Sequence, residues 1–339
     1  MKLSKVLAEY KQHKIGIEGV SESSAATYIF KLKKALLIMC EGDELKELSE
    51  DDLGAYLAGL RGKQSIASQR LMVTTIKGFY AWYARKYERN NPAAQIKPVR
   101  EWTKHPDVLR LENVERMLIA AGMDNFLQVR NAAIVSILAD TGIRVSELCE
   151  LRLKDVSYEG KQFLMTVPPT KSRRSRLVPF CYMEESSMVA ETFSYYYMTV
   201  KFNKGWGPDD YLFQNSECHY IKIPGGWAEG KPRNNPGGKM NRHSVCDMVK
   251  TLAARAGIER KVTPHSFRHF YATYLAVAGT EPMIIQRRLG HASLDKTMIY
   301  IHYADVVKGD SAKNNPLAKV KTPYVGAVKA LRNIERVKG

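Results

Sequence analysis

The sequence predicts a mainly α-helical protein with one small β-sheet, an α+β fold divided into two domains. Three observations predict it. The first ninety or so residues carry capped segments whose apolar positions follow the helical period. A polar, proline-bounded stretch from Pro98 to Pro106 then interrupts the pattern and marks a linker. Beyond it more helical segments appear, together with two short β-rich runs on either side of a basic turn.

The elements follow in order. Ser49 precedes Glu50, Asp51 and Asp52 and then Leu53, Tyr56, Leu57 and Leu60, which is a capped amphipathic helix with its acids at the positive end of the dipole. A second helix is expected from about Ala67 to Lys86, with Leu71, Met72, Ile76, Phe79, Tyr80 and Tyr83 on its apolar face. Arg70 and Lys77 share one face of it, either as a phosphate-contacting stripe or as a solvated surface. Asn90-Asn91-Pro92 ends that helix, because proline turns the preceding residue away from helical geometry.

After the linker, Leu111 to Ala120 and the almost wholly apolar Asn131 to Ala139 read as helices, the latter buried. Gly142 permits a tight turn, and Arg144 to Leu151 reads as a short helix. Phe163–Val167 and Arg176–Pro179 read as strands flanking the turn that holds Lys171, Arg173 and Arg174. Residues 201–241, dense in Gly, Pro, Asn and Trp, read as an irregular insertion. His243 to Ala256 is expected to be helical. Thr263 caps a helix that has Pro264 at its favoured first position and stops at Gly279. Pro282 opens a helix ending near Gly290, and Ser293 caps one reaching about Tyr303. A last helix is expected near Ala327 to Arg336.

Composition narrows the function. Lys and Arg number 52 against 35 acids, a net charge of +17. Such a chain is suited to a polyanion, since neutralising phosphates releases condensed counterions. No apolar run of about 18 residues is present to cross a membrane. Met1-Lys2-Leu3-Ser4-Lys5 leads into a charged segment and not the apolar core of a signal peptide, so a cytoplasmic, DNA-associated location is expected. The five cysteines (Cys40, Cys149, Cys181, Cys218 and Cys246) form no C-x-x-C pair, which favours reduced thiols over a zinc or redox motif.

One ordered set of residues carries chemistry. Arg144 follows a glycine turn, Lys171 sits between two strands, and His265, Arg268, His291 and Tyr300 fall within 36 positions on helical segments. Cleaving a phosphodiester without a metal requires donors for the nonbridging oxygens, a deprotonated nucleophile and a proton for the leaving oxygen. Arginine matches phosphate with a planar, always charged fork, so Arg144 and Arg268 could hold one phosphate from two sides. Tyr300 would be the nucleophile once nearby positive charge or a base activates its phenol. His265 and His291 could donate to the phosphate or move a proton, and Lys171 could protonate the leaving oxygen. Neither a carboxylate cluster nor zinc-ligand spacing accompanies them, so no metal or other cofactor is expected.

Thr141–Leu148, Pro264–His269 and Leu289–Ser293 resemble the three boxes of the tyrosine recombinase (phage integrase-like) family, and Tyr300 lies nine residues after His291 as in Xer-like members. The resemblance implies a helical N-terminal core-binding domain over residues 1–97, a linker over 98–106, a mixed α/β catalytic domain over 107–307 and a basic tail over 308–339. It places Arg144, Lys171, His265, Arg268, His291 and Tyr300 in the active site, with Glu147 supporting the first arginine. It implies a C-shaped clamp on double-stranded DNA carrying a specific target site. The activity would be site-specific recombination through a 3′-phosphotyrosyl intermediate without ATP. Four protomers on two sites would exchange strands through a Holliday junction, with the free protein a monomer or weak oligomer. The tail would either dock on a neighbouring protomer or remain an arm without fixed structure.

The sequence departs from the family pattern in places. The turn Pro-Pro-Thr-Lys-Ser-Arg-Arg lacks the glycines often found beside this lysine, so Arg173 or Arg174 could crowd or replace Lys171, or contact DNA. Tyr303 is a rival nucleophile, disfavoured by its spacing from His291, and His269 and His302 read as structural or supporting. A type IB topoisomerase, or a DNA-binding relative without catalysis, are the alternatives. The first usually carries a basic non-histidine residue where His265 stands.

Overall fold

The computed structural model describes residues 1–40, 42–97, 108–169, 175–183, 187–215, 218–223, 226–232 and 237–307. The linker, the turn carrying Lys171, Arg173 and Arg174, and the C-terminal tail therefore lie outside the described residues. The chain divides into two compact units, Met1–Lys104 and His105–Gly339.

The first unit is all helical: α1 (Leu3–Gly16), α2 (Glu22–Cys40), α3 (Glu50–Gly59) and α4 (Ile66–Tyr87). Its caps are those the sequence requires. The Ser49 hydroxyl accepts from the Asp52 N–H at 3.2 Å while the Ser49 N–H donates to the Asp52 carboxylate at 2.8 Å, a reciprocal capping box. Ser65 caps α4, its hydroxyl accepting from the Ser68 N–H at 3.3 Å. Leu32, Leu36, Leu53, Ile76 and Phe79 form the core, and Tyr10 enters it from α1 between the rings of Phe79 and Trp82.

The second unit is built around α6 (Phe126–Thr141), whose residues Ala132–Ala139 are all buried, as expected of a helix apolar on every side. α5 (Leu111–Ala121) and α8 (Met188–Met198) pack against it. A three-stranded antiparallel sheet, β1 (Val156–Glu159), β2 (Gln162–Val167) and β3 (Arg176–Phe180), has the order β1-β2-β3. Its inward face pairs Met165 with Val178 and Phe163 with Phe180, so the period-two alternation places the apolar residues toward α8. The remaining helices are the short α7 (Val145–Leu148), α9 (Arg242–Arg255), α10 (Pro264–Val277), α11 (Pro282–Leu289) and α12 (Asp295–Val307).

Three features differ from the sequence expectations. The segment read as irregular contains a π-helical turn over Thr199–Asn203 and an antiparallel hairpin, β4 (Cys218–Ile223) with β5 (Gly226–Pro232). The run His-Tyr-Ile-Lys-Ile has strand character, but the glycines and prolines around it mask the signal. β1 has only one buried position, Val156, and so shows no alternation. Arg144 is the residue before α7 and not part of it, with an extended backbone that lets its side chain leave the helix axis.

Candidate active site

Two left-handed glycines set the geometry. Gly142 ends α6 at φ +59°, and a Cβ there would lie 2.8 Å from Tyr271 of α10 and 2.9 Å from Leu289 of α11. Only glycine allows that turn and that closeness together. The chain then reverses into Arg144 and α7. Gly290 ends α11 at φ +66° and delivers His291.

Arg144 is held at three points. Its N–H donates to Glu147 Oε2 at 2.8 Å, its Nη1 to Glu147 Oε1 at 2.9 Å and its Nη2 to the carbonyl of Gly290 at 3.0 Å. Arg268, one turn along α10 from His265, is buried and donates to the carbonyls of Gly142 at 2.9 Å and Leu289 at 2.7 Å. Both guanidiniums thus grip the 289–290 backbone, Arg144 from the turn before α7 and Arg268 from α10. A guanidinium has five N–H donors, so each keeps capacity for a ligand oxygen.

Behind Arg144 lies a residue that motif reading missed. Arg176 opens β3 and clasps Glu147 bidentately, at 3.0 Å and 2.8 Å, while its Nε donates to the Arg288 carbonyl at 2.7 Å. A signal was present in the strand. Arg176 shares its face with the buried Val178 and Phe180, and an inward arginine requires a buried anion.

His291 turns Nδ1 to the hydroxyl of the buried Thr297 at 2.9 Å, and its Nε2 makes no hydrogen bond among the described residues. Tyr300, on α12, packs with Tyr271, Ile285 and Leu289 and is only 5% exposed. Its ring lies nearly parallel to that of His291, at 14° and 6.3 Å between centroids. Its phenolic oxygen is 2.8 Å from Nδ1 of His269. His269 in turn meets the ring of His265 edge-on at 4.6 Å.

The electrostatics are those of an anion site. Burial first, then Arg268 and Arg144, lower His291 to about 3. Burial, His265 and Arg268 lower His269 to about 4. His265, exposed at its outer edge, is lowered by partial desolvation and then by Arg268 and Arg144. All three imidazoles are therefore neutral at neutral pH in the free protein. Burial and the charge of Arg144 bring Arg268 down to about 10, which leaves it charged. Burial raises the Tyr300 phenol, and Arg268 works against that rise. Positive charge that suppresses protonation of three neighbouring imidazoles is charge an incoming phosphate would neutralise.

Two regions of the sequence match known domain families: residues 107–306 match the phage integrase family, and residues 7–87 its N-terminal SAM-like domain. The chain belongs to the phage integrase family. It is similar to tyrosine recombinase XerA of Pyrococcus furiosus, with 30% identity over 299 residues, 88% of this chain and 89% of the relative. A tyrosine recombinase of Pseudothermotoga lettingae is 26% identical over 314 residues, 91% of this chain and 97% of the relative. The fold matches XerH site-specific recombinase bound to palindromic difH substrate with TM-score 0.67 and 20% identity, over 92% of this chain and 83% of that one. It also matches a lambda integrase tetramer bound to a Holliday junction with TM-score 0.63 and 16% identity, over 88% and 77% of the respective chains.

In this chain of the phage integrase family, Arg144, Glu147, His265, Arg268, His291 and Tyr300 are joined in one network of hydrogen bonds, ring contacts and charge around the 289–290 backbone and His269. Lys171, Arg173 and Arg174 lie outside the described residues. In the first unit Arg70 is exposed on α4, whereas Lys77 is half-buried and donates to the carbonyls of Ala94 and Ile96. Tyr303 is half-buried and His302 exposed on α12. His269, expected to be structural or supporting, hydrogen-bonds the phenol of Tyr300.

Proposed function

We propose that this chain is a site-specific DNA recombinase that cuts and rejoins double-stranded DNA at a specific target through a 3′-phosphotyrosyl link to Tyr300. The observation that carries this reading is the paired grip of Arg144 and Arg268 on the 289–290 backbone, one helix before the phenol of Tyr300. There the two guanidiniums bind the nonbridging oxygens of the scissile phosphate and stabilise the charge that develops on them. His291, its Nδ1 fixed by Thr297, presents Nε2 as a further donor or proton carrier. His265 stands at the exposed rim on the same side as Arg268. Lys171 supplies a proton to the leaving 5′ oxygen. The ester conserves the bond energy, so a partner strand's 5′ hydroxyl can attack it without ATP.

In this reading residues 1–97 form a core-binding domain and residues 107–307 the catalytic domain, and both contact DNA. Residues 98–106 link them, and 308–339 form a basic tail. Exchange runs on two sites bound by four protomers.

The test is a nicked duplex carrying the target site, incubated with the protein and denatured. Wild type and Tyr303→Phe form a covalent adduct; Tyr300→Phe forms none. An adduct retained in Tyr300→Phe and lost in Tyr303→Phe overturns the assignment. A two-site strand-exchange assay then separates recombination from mere relaxation of one duplex.

A further inference from the structure

We infer that His269 takes the phenolic proton of Tyr300 as that oxygen attacks phosphorus. The inference rests on the reading of Tyr300 as nucleophile. Its foundation is geometric: the phenolic oxygen lies 2.8 Å from His269 Nδ1, and the phenol makes no other hydrogen bond among the described residues. A phenol with one proton and one basic neighbour at that distance has its transfer path laid out.

The surrounding groups point the same way. His291 lies nearly parallel to the ring of Tyr300 and makes no hydrogen bond to its oxygen among the described residues, and its Nδ1 is occupied by Thr297. His265 reaches His269 and makes no hydrogen bond among the described residues. Arg268, the neighbour whose charge favours the phenolate, cannot itself accept a proton from it. Burial and neighbouring charge keep the His269 ring neutral before DNA arrives, and in the tautomer that carries its proton on Nε2 the Nδ1 atom accepts from the phenol. A bound phosphate would offset Arg268, and the ring would become more basic when the proton has to move.

The step balances. A bond forms between the Tyr300 oxygen and phosphorus while the bond from phosphorus to the 5′ oxygen breaks. The phenolic proton passes to His269 Nδ1, and the 5′ oxygen receives a separate proton from Lys171 or its substitute. When a 5′ hydroxyl attacks the ester, a bond forms from its oxygen to phosphorus and its proton passes to Lys171 or its substitute, while the bond from phosphorus to the Tyr300 oxygen breaks and His269 returns its proton to the departing phenolate.

Two variants separate proton transfer from simple restraint of the ring. His269→Asn keeps an acceptor near the position of Nδ1 but cannot carry the proton; His269→Ala removes both. Single-turnover cleavage of a nicked target duplex should fall about 10²- to 10⁴-fold in each, with duplex binding retained. Added imidazole should restore His269→Ala in proportion to its neutral form. It should not restore Tyr300→Phe. A substrate with sulfur in place of the bridging 5′ oxygen, whose leaving group needs no acid, should rescue Lys171→Ala and neither His269 variant. Cleavage by His269→Asn at the wild-type rate, faster cleavage by His269→Ala, or rescue of either by the sulfur substrate overturns the inference. Should Tyr300→Phe still form the adduct, the nucleophile assignment itself fails, an outcome distinct from these.

Discussion

Glu147 is a carboxylate fully removed from water and shared by two guanidiniums. Burial alone would raise its pKa. The hydrogen bonds and charge of Arg176, with the Arg144 N–H and charge, outweigh that and hold it below the ordinary carboxylate value. The ion therefore survives burial only as part of a set, and it is this set that fixes the Arg144 side chain. Arg176→Met should cost about 3–5 kcal/mol of stability, the usual penalty for stripping a partner from a buried pair, measured by denaturant unfolding. Adduct formation should fall as well, by about 10²-fold, since Arg144 loses its fixed support. Arg176→Lys should recover only part of either, because a lysine cannot reproduce the bidentate fork. Equal stability in Arg176→Met would show that Glu147 needs no second arginine. The sequence made Arg144 and Glu147 legible because they lie three positions apart within one box. Arg176 escaped because its partner is 29 residues away and only the register of β3 turns it inward.

The helices α6 and α11 act through where they stop. Gly142 and Gly290 each end a helix in the left-handed region, and the carbonyls they or their neighbours expose are those that Arg144 and Arg268 grip. The two glycines should nevertheless respond differently to alanine. At Gly142 the left-handed cost of about 1–2 kcal/mol adds to overpacking against Tyr271 and Leu289, worth roughly another 1–3 kcal/mol. At Gly290 the new methyl would meet the Arg176 guanidinium at 3.1 Å, a side chain that can yield only by loosening its hold on Glu147. Gly142→Ala should thus lose more stability, and Gly290→Ala more cleavage for each unit of stability lost. Unfolding curves and single-turnover rates on the same preparations compare them, and identical ratios would refute the distinction. Elements of this kind were readable in advance: α4 declares itself by its period and the Asn90-Asn91-Pro92 stop, α6 by its apolar run and Gly142, and α10 by Thr263, Pro264 and Gly279. β1, with one buried side chain, and the hairpin of β4 and β5, set among turn residues, do not, because a strand's pairing is decided by distant partners.

At the scale of the molecule, two compact units share one chain, and unfolding need not be a single transition. The cluster of suppressed imidazoles gives the second unit its own dependence on pH. The unfolded chain binds a proton on each histidine near 6.5, whereas the fold admits it only near 4 at His269 and 3 at His291, with His265 lowered as well. As pH falls below about 6.5 the unfolded state takes up protons that the native state refuses, so stability is lost progressively toward those folded values. Asp140 opposes this. Burial raises its carboxyl from 3.8 to about 6 despite the Cys181 N–H and Arg288, so between those values the fold binds a proton that the unfolded chain does not. Three imidazoles against one carboxyl leave a net loss on acidification. The melting transition that Arg176→Met lowers identifies the second unit, and it should drop between pH 7 and pH 5. In Asp140→Asn, which keeps an acceptor for the Cys181 N–H, the drop should be steeper. Target DNA should flatten it, because a phosphate beside Arg144 and Arg268 allows the imidazoles to protonate in the fold. A transition that stays level or rises on acidification, with the protein free, would mean that these rings are not held neutral, and the anion site would have to be reconsidered with them.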